Sequence, residues 1–483
     1  MESTDSHARR DLLVLVPIAG FCLFAWLGAG SLKTFDEARH GEVAREVFET
    51  GVVHTLHWNH TRYLAKPPLN AWVTALLFKV FGVHELTVRL FSATCGLATV
   101  LLTWWLGRRL VGPRAALYGA LVLCTSTFFL KYARLGQLDG PLTFLTTLGL
   151  CLYWRARETP RLTPWLGVVL AAALLLKSVA GFAFTAVLVV HALLGREPGL
   201  LRRKAFWIPI AAAVAVGGSW VLLQYGLYGG VVVERWRYDV VKRATEVVEG
   251  HEHWIGYYPL EFALRSGVWG PLGLIALAAL ARALLRQMDQ GLLLLLTWAL
   301  TIFGAYMAAQ SQALWYVLPA APAVSLATGW FLHRRFPGLR PRTAALLFAG
   351  CVAMQLCGTA LFVRKNFLSM DFEPEIRALA ERTRSRVGRE DTVFAFEVHE
   401  NALLFYNGRR VARAQDVPTI RTFAASVRSR GKRLCFVREP ARPRLEGLFP
   451  PDLGATVLDR EGSLLLLEVE VRNARGPEPM GVR

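Results

Sequence analysis

Runs of nearly twenty apolar residues recur along this chain, and they constrain it more than any other feature. Leu12–Gly30, Ala205–Gly226, Gly291–Ala309 and Thr343–Val363 are of that length. Wound as a helix, such a run matches the ~30 Å hydrocarbon layer of a bilayer. Of the 483 residues, 54% are apolar and only 19% are charged, against about 25% charge in soluble domains. A cytosolic or secreted globular enzyme is excluded. The expected class is an α-helical polytopic membrane protein.

Eleven spans are expected, over roughly 12–32, 86–107, 113–131, 139–155, 163–178, 179–195, 205–228, 266–285, 291–309, 313–332 and 343–363. The formal charge of +19 does not call for a nucleic-acid partner, because of where it sits. Residues 371–483 hold 20 basic and 17 acidic side chains, so most of the excess lies in the membrane part. There it occupies short loops around Arg108, Arg155, Arg202, Arg286 and Arg334. That is the positive-inside pattern, which orients helices. It places the N-terminus in the cytoplasm, and an odd number of spans puts the C-terminal segment outside. Three parts are expected: a transmembrane domain over 1–363, a small extracytoplasmic α/β domain over 371–475, and a disordered tail over 476–483. Within the tail domain, Thr392–Phe396, Arg433–Val437 and Ser463–Val471 read as strands, and Glu375–Arg386 and Pro418–Ser429 as helices.

Two outer loops are long, 33–85 and 229–265. In the first, Val43, Ala44, Val47 and Phe48 alternate with Glu42, Arg45, Glu46 and Glu49, an amphipathic helix expected to lie at the headgroups. Thr34 to Glu37 reads as its capping box and Gly51 as its stop. A second helix follows Pro67-Pro68 and runs to about Phe81.

Four constellations can carry chemistry. Asp36 and Glu37, where the first span ends, suit a general base or a cation site, and equally a helix first turn complementing its dipole. Lys66, before Pro67-Pro68, stands at the positive end of a helix, where an anion such as phosphate would be welcome; a snorkelling lysine is the alternative. Asp139, in the turn Arg134–Pro141, is an acid beside the bilayer or a helix cap. The 229–265 loop carries Arg243, His251 and His253. His54, His57 and His60 are spaced by three and would share a face if helical. A divalent cation is possible there, though no zinc signature is present. Lys177, between two apolar blocks, and Tyr316, beside Pro319, complete the set; a span end and an interfacial belt are their plain readings.

In order, these motifs resemble those of the bacterial GT-C glycosyltransferases, the aminoarabinose lipid A transferases and the wider dolichyl-phosphate-mannose protein mannosyltransferase superfamily. The run from Phe35 through Asp36-Glu37-Ala38-Arg39 to Arg45-Glu46 carries the likeness. Arg62-Tyr63-Leu64-Ala65-Lys66-Pro67-Pro68-Leu69 follows, then Phe81-Gly82, Glu85, Arg89 and Gly107-Arg108-Arg109. Asp139-Gly140-Pro141, Lys177, Arg243 with Gly250-His251, and Trp315 to Pro319 are similar more loosely. Two departures stand: Gln310 to Leu314 lacks the basic residues the family carries there, and Ser178 follows Lys177 in place of glycine. Both bear on substrate rather than reaction type.

The resemblance implies a GT-C fold and an inverting transfer of sugar from a polyprenyl-phosphate donor to an outer acceptor, most plausibly lipid A or another envelope glycolipid, in a bacterial inner membrane. It implies Asp36 as catalytic base, with Asp139 and Glu37 orienting the acceptor or tuning that base. Lys66, Tyr63, Arg243 and Tyr316 would hold the donor phosphate, and Arg39, Arg62, Lys177 and His251 would support acceptor or site. A protein O-mannosyltransferase-like enzyme is the nearer rival and a lipid-linked sugar flippase the more distant one. Flippases usually show internal repeats and midplane charges, and neither is visible here.

Overall fold

The computed structural model describes residues 2–472 except 197–198, 200, 243–244, 247–253, 255, 339, 341, 344–345, 352, 355–370, 389–390 and 415. The chain divides into two compact units. One comprises residues 1–29, 47–56 and 62–370; the other comprises 30–46, 57–61 and 371–483.

The first unit is helical. Its elements are α1 (Glu2–Phe24), the end of α2 (Asp36–Thr50), α3 (Leu69–Phe81), α4 (Glu85–Leu110), α5 (Pro113–Thr125), α6 (Thr127–Arg134) and α7 (Asp139–Ala156). There follow α8 (Thr163–Lys177), α9 (Ala183–Leu194), α10 (Lys204–Tyr228), α11 (Gly230–Trp236), α12 (Tyr257–Arg265), α13 (Trp269–Arg286), α14 (Gln290–Met307) and α15 (Ala321–Arg335). Among the described residues, six helical stretches are long and apolar enough to cross a membrane, or seven if the pair α5–α6 is one span, bent by 61°. Helix α1 lies outside that set because its first turns carry Arg9, Arg10 and Asp11. The 35-residue run Pro160–Leu194 counts as one stretch, yet it is not one rod. A 3-10 segment over Ser178–Phe182 interrupts it, and a Cβ on Gly181 would lie 2.6 Å from the Ala173 carbonyl carbon. Residues eight apart in a continuous helix are about 12 Å apart, so the chain turns sharply there. Most of the span expected at 343–363 lies outside the described residues.

Close approach of small residues locks this bundle. Ala115 and Gly119 on α5 face Ser325 and Gly329 on α15, where any Cβ on Gly329 would collide with the α5 backbone. Small residues four apart are the usual means of bringing two backbones together in lipid, where burial of apolar surface supplies little drive. The C-terminus of α1 is held differently. Arg89 donates to the Leu27 carbonyl at 2.9 Å, and Arg134 donates to Cys22 at 2.7 Å and Ala25 at 2.8 Å. Both arginines are fully buried, so the last carbonyls of α1 meet cations rather than lipid.

After the short hairpin strands β1 (His57–Trp58) and β2 (Thr61–Arg62), the second unit is an α/β fold on a five-stranded sheet, with β3 (Thr392–Phe396), β4 (Arg410–Arg413), β5 (Lys432–Arg438), β6 (Leu453–Glu461) and β7 (Leu464–Val471) in the order β4-β3-β5-β7-β6. The pairs β3–β4 and β3–β5 are parallel, whereas β5–β7 and β6–β7 are antiparallel. A helix over Val417–Arg430, capped by Asp416 and Thr419 and stopped at Gly431, packs Ile420, Phe423 and Val427 on the sheet. Phe423 meets Phe394 with ring centroids 4.4 Å apart. The runs expected as strands occupy three of these five positions. Arg410–Arg413 and Leu453–Glu461 escape a periodicity reading because one is short and the other is half exposed along its length.

This unit also includes residues 30–46, which the sequence reading assigns to the membrane domain. Ser31 is the joint. Its N–H and hydroxyl donate to Asp371 at 2.9 and 2.6 Å, and its Oγ accepts the N–H groups of Phe372 and Glu373. The Leu32 N–H donates to the Tyr406 hydroxyl at 2.7 Å. The hairpin 57–62 joins in the same way: Asn59 exchanges two hydrogen bonds with Val411 on the edge strand, at 2.8 and 3.0 Å.

Candidate functional site

Helix α2 opens on the acidic pair. Asp36 is half-buried at its first position, and Glu37 is fully buried. The Glu37 carboxylate accepts the Lys33 N–H at 2.7 Å, whereas the Thr34 hydroxyl finds no partner among the described residues. The expected capping box is therefore replaced by a single reach-back from Glu37, one residue earlier. Arg39 is half-buried, with its guanidinium carbon 5.8 Å from the Trp58 ring.

The face of α2 expected to meet water is buried. Glu42, Arg45 and Glu46 are 0, 2 and 3% exposed, while Phe48 is 41% exposed. The amphipathic reading inverts because this face joins the second unit, where a charge survives by pairing. Arg45 donates to Glu42 at 2.8 Å, and Gly408 leaves space beside the Arg45 guanidinium. Glu46 accepts the His60 N–H at 3.0 Å. His60 and Asn59, both at positive φ, form the two-residue turn of the hairpin His57–Arg62. His54, His57 and His60 thus lie in extended and turn backbone rather than on one helix face. Among the described residues no cluster of three metal-ligating side chains occurs.

Burial pushes the Glu46 carboxyl up to about 7 from its ordinary 4.5; Glu42 adds to the rise, while the His60 N–H and Arg45 oppose it. The folded value lies above the unfolded one. Its contribution to stability is therefore complete below about pH 4.5 and is lost as pH rises through about 7. The unfolding midpoint of the wild type is expected to fall between about pH 4.5 and 7, and Glu46→Gln to flatten that decline. An unchanged pH profile in Glu46→Gln would show that another group carries it.

In the first unit, a cavity of about 410 Å³ gathers Lys66, Lys177 and Tyr316. Lys66 is half-buried, just before the prolines that open α3. Lys177 ends α8, where Ser178 takes a left-handed φ of 46° and turns the chain. Its ammonium lies 2.6 Å from the Asp139 carboxylate and 4.9 Å from the Tyr316 ring. Tyr306 stacks on Tyr316 with centroids 5.2 Å apart. Phe182, Trp220, Val221, Trp236 and Ile302 make the lining of the same cavity largely apolar, with Gln224 and Asp239 also in its wall. Two cations and two phenols in the wall of a largely apolar cavity suit an anionic headgroup on a hydrocarbon chain.

The other expected residues of this unit stand beside the cavity. Asp139 opens α7 without capping it, 3% exposed, and acts through Lys177. Tyr63 is half-buried, with its N–H on the Leu56 carbonyl. The Arg62 guanidinium lies 4.4 Å over the Tyr228 ring, whose hydroxyl meets Thr55. Arg243 and His251 lie outside the described residues. Sequence reasoning missed Tyr306 and Asp239, both lining the cavity. Tyr306 sits at a span end, where an aromatic reads as an interfacial belt, and Asp239 in a π-helical turn whose facing has no simple period.

The model of the dolichyl-phosphate-mannose-protein mannosyltransferase family matches residues 65–222. An uncharacterized protein of Aquifex aeolicus is 30% identical over 329 residues, covering 67% of this chain and 64% of that one. The undecaprenyl phosphate-alpha-4-amino-4-deoxy-L-arabinose arabinosyl transferase of Edwardsiella ictaluri is 26% identical, covering 61% of this chain and 54% of its own. This chain thus spans between about half and two thirds of these relatives' lengths. Among solved structures, ArnT from Cupriavidus metallidurans bound to undecaprenyl phosphate superposes with a TM-score of 0.77 at 19% identity, over 97% of this chain and 99% of that one. The chain shares the fold of this transferase. The archaeal oligosaccharyltransferase AglB from Archaeoglobus fulgidus shares the fold at a TM-score of 0.55 and 12% identity, over 89% of this chain and 70% of that one. The family match begins at Ala65, beside Lys66, and runs through Asp139 and Lys177 into α10.

Proposed function

We propose that this protein is an inverting GT-C glycosyltransferase that takes a sugar from a polyprenyl-phosphate donor and passes it to a hydroxyl or phosphate of an envelope glycolipid, with lipid A the leading acceptor. The observation that carries the reading is the largely apolar cavity that Lys66, Lys177 and Tyr316 line together. The likeness to a transferase bound to undecaprenyl phosphate supports the same donor class. Positioned cations stabilise the charge that develops on the phosphate as it leaves the anomeric carbon. Asp36 is the base that removes the acceptor proton while the acceptor oxygen attacks from the face opposite the phosphate. Glu37 steadies the helix start that carries it, and Asp139 holds Lys177 in place. With the basic loops on the cytoplasmic side, eleven crossings would put residues 371–483 outside an inner membrane, and transfer is proposed at the outer face.

Binding tests the donor assignment. Purified in detergent and titrated with undecaprenyl phosphate, Lys66→Ala is expected to lose about tenfold or more in affinity. Trp220→Ala is expected to weaken binding through the chain rather than the phosphate, and so to affect undecaprenol equally. Wild-type affinity in Lys66→Ala would remove this lysine from the site.

A further inference from the structure

A second cavity, of about 950 Å³, lies at the other end of the bundle. Leu292 lines it, and Tyr306 lines the donor cavity. Both residues are on α14, about 21 Å apart along its axis at ~1.5 Å per residue. The two cavities therefore open toward opposite membrane faces.

Four guanidinium groups converge on this second cavity: Arg282 and Arg286 from the last turns of α13, and Arg334 and Arg335 from the end of α15. Among the described residues none of the four has a carboxylate within ion-pair distance. The one acid in the lining is Asp289, whose Oδ1 is engaged by the Leu292 N–H at 2.8 Å as the cap of α14. Four cations face one carboxylate, a formal excess of three charges. The C-terminal dipole ends of α13 and α15 offset part of this, as does the usual role of basic residues in the last turn. That role alone needs no concavity shared by two helices. The remaining walls are apolar, from Leu110, Leu292 and Phe331, and Trp330 carries Arg334 at 5.5 Å from its ring. An aromatic at headgroup depth beside basic residues and apolar walls is the composition of a lipid headgroup pocket between helices.

We propose that this cavity binds the phosphodiester headgroup of an anionic phospholipid. The positive charges of the four arginines attract the phosphate oxygens, and the acyl chains follow the apolar walls. The site is separate from the donor cavity, and its occupancy does not depend on the transferase reading. A free phosphate would satisfy the same arginines, but it would leave the apolar walls unused.

The test is native mass spectrometry of the full-length protein in detergent, titrated with dioleoyl phosphatidylglycerol or dioleoyl phosphatidylcholine. Wild type is expected to retain phosphatidylglycerol in preference to phosphatidylcholine. R282Q/R286Q and R334Q/R335Q should each lose that preference by about tenfold or more. R282K/R286K should keep most of it, which separates lost charge from lost fold. R202Q/R203Q, removing the same charge from a loop outside the cavity, should keep it all. Equal retention of both lipids by wild type overturns the proposal, as does an equal loss in R202Q/R203Q or in R282K/R286K. Displacement of phosphatidylglycerol by millimolar inorganic phosphate would make free phosphate the ligand and overturn the lipid assignment.

Discussion

Asp36→Asn is expected to lower sugar transfer by about 10²–10⁴-fold while leaving the protein folded and membrane-inserted. Asparagine keeps the size and shape of the side chain but cannot take up the acceptor proton. The helix start loses one carboxylate near its positive end, worth only about 0.3–1 kcal/mol. Glu37, with its bond to the Lys33 N–H, still anchors that turn. A fall in turnover without a fall in thermal midpoint separates a proton-transfer role from a structural one. Membranes from cells producing each variant, supplied with lipid extract as the source of donor, give the rate; the purified proteins give the midpoint. Full turnover in Asp36→Asn would show that the base lies elsewhere. A matching loss in Glu37→Gln, with stability unchanged, would point to the neighbouring carboxylate.

Asp139→Leu is expected to have the largest effect on stability. Asp139 and Lys177 form a buried pair at 2.6 Å, with side chains 4 and 11% exposed. Removing the carboxylate leaves the ammonium buried against Tyr316 without its counter-charge, at a cost of about 3–5 kcal/mol. The double variant Asp139→Leu/Lys177→Leu exchanges the pair for apolar contact and should recover most of that loss. Stability and function then part company. The double variant melts near wild type but binds undecaprenyl phosphate weakly, because the cavity has lost one of its cations. Thermal unfolding of the four proteins in one detergent, read as a double-mutant cycle, gives the coupling. A wild-type midpoint in Asp139→Leu alone would mean that the pair holds nothing.

Much of this was legible in the sequence, for physical reasons that can be named. Apolar length reports a bilayer because few other environments reward twenty consecutive apolar residues. The second loop helix was legible because Pro67-Pro68 favours a helix start just after it and Gly82, at φ 85°, can end one. Lys66, Lys177 and Tyr316, chosen from three separate stretches, meet in one cavity. What escaped depends on tertiary context. Glu42, Arg45 and Glu46 look like a solvated face until Gly408 and the hairpin at Asn59-His60 are brought against them. No local period shows that Ser31 bonds to Asp371, 340 positions away. Arg89 and Arg134 read as motif and loop charges, yet they cap α1. The unit that carries Asp36 is consequently built from both ends of the chain. Deleting residues 371–483 should therefore abolish activity even though the donor cavity lies wholly in the helical unit.

The most direct test of the transferase reading is mass spectrometry of envelope glycolipids and glycoproteins from wild-type cells, cells lacking this protein, and cells carrying Asp36→Asn. The expected result is loss of one sugar from one acceptor in both mutants, with the Asp36→Asn protein present at wild-type level. Identical glycan profiles in all three, with the protein expressed in the wild type, would contradict it.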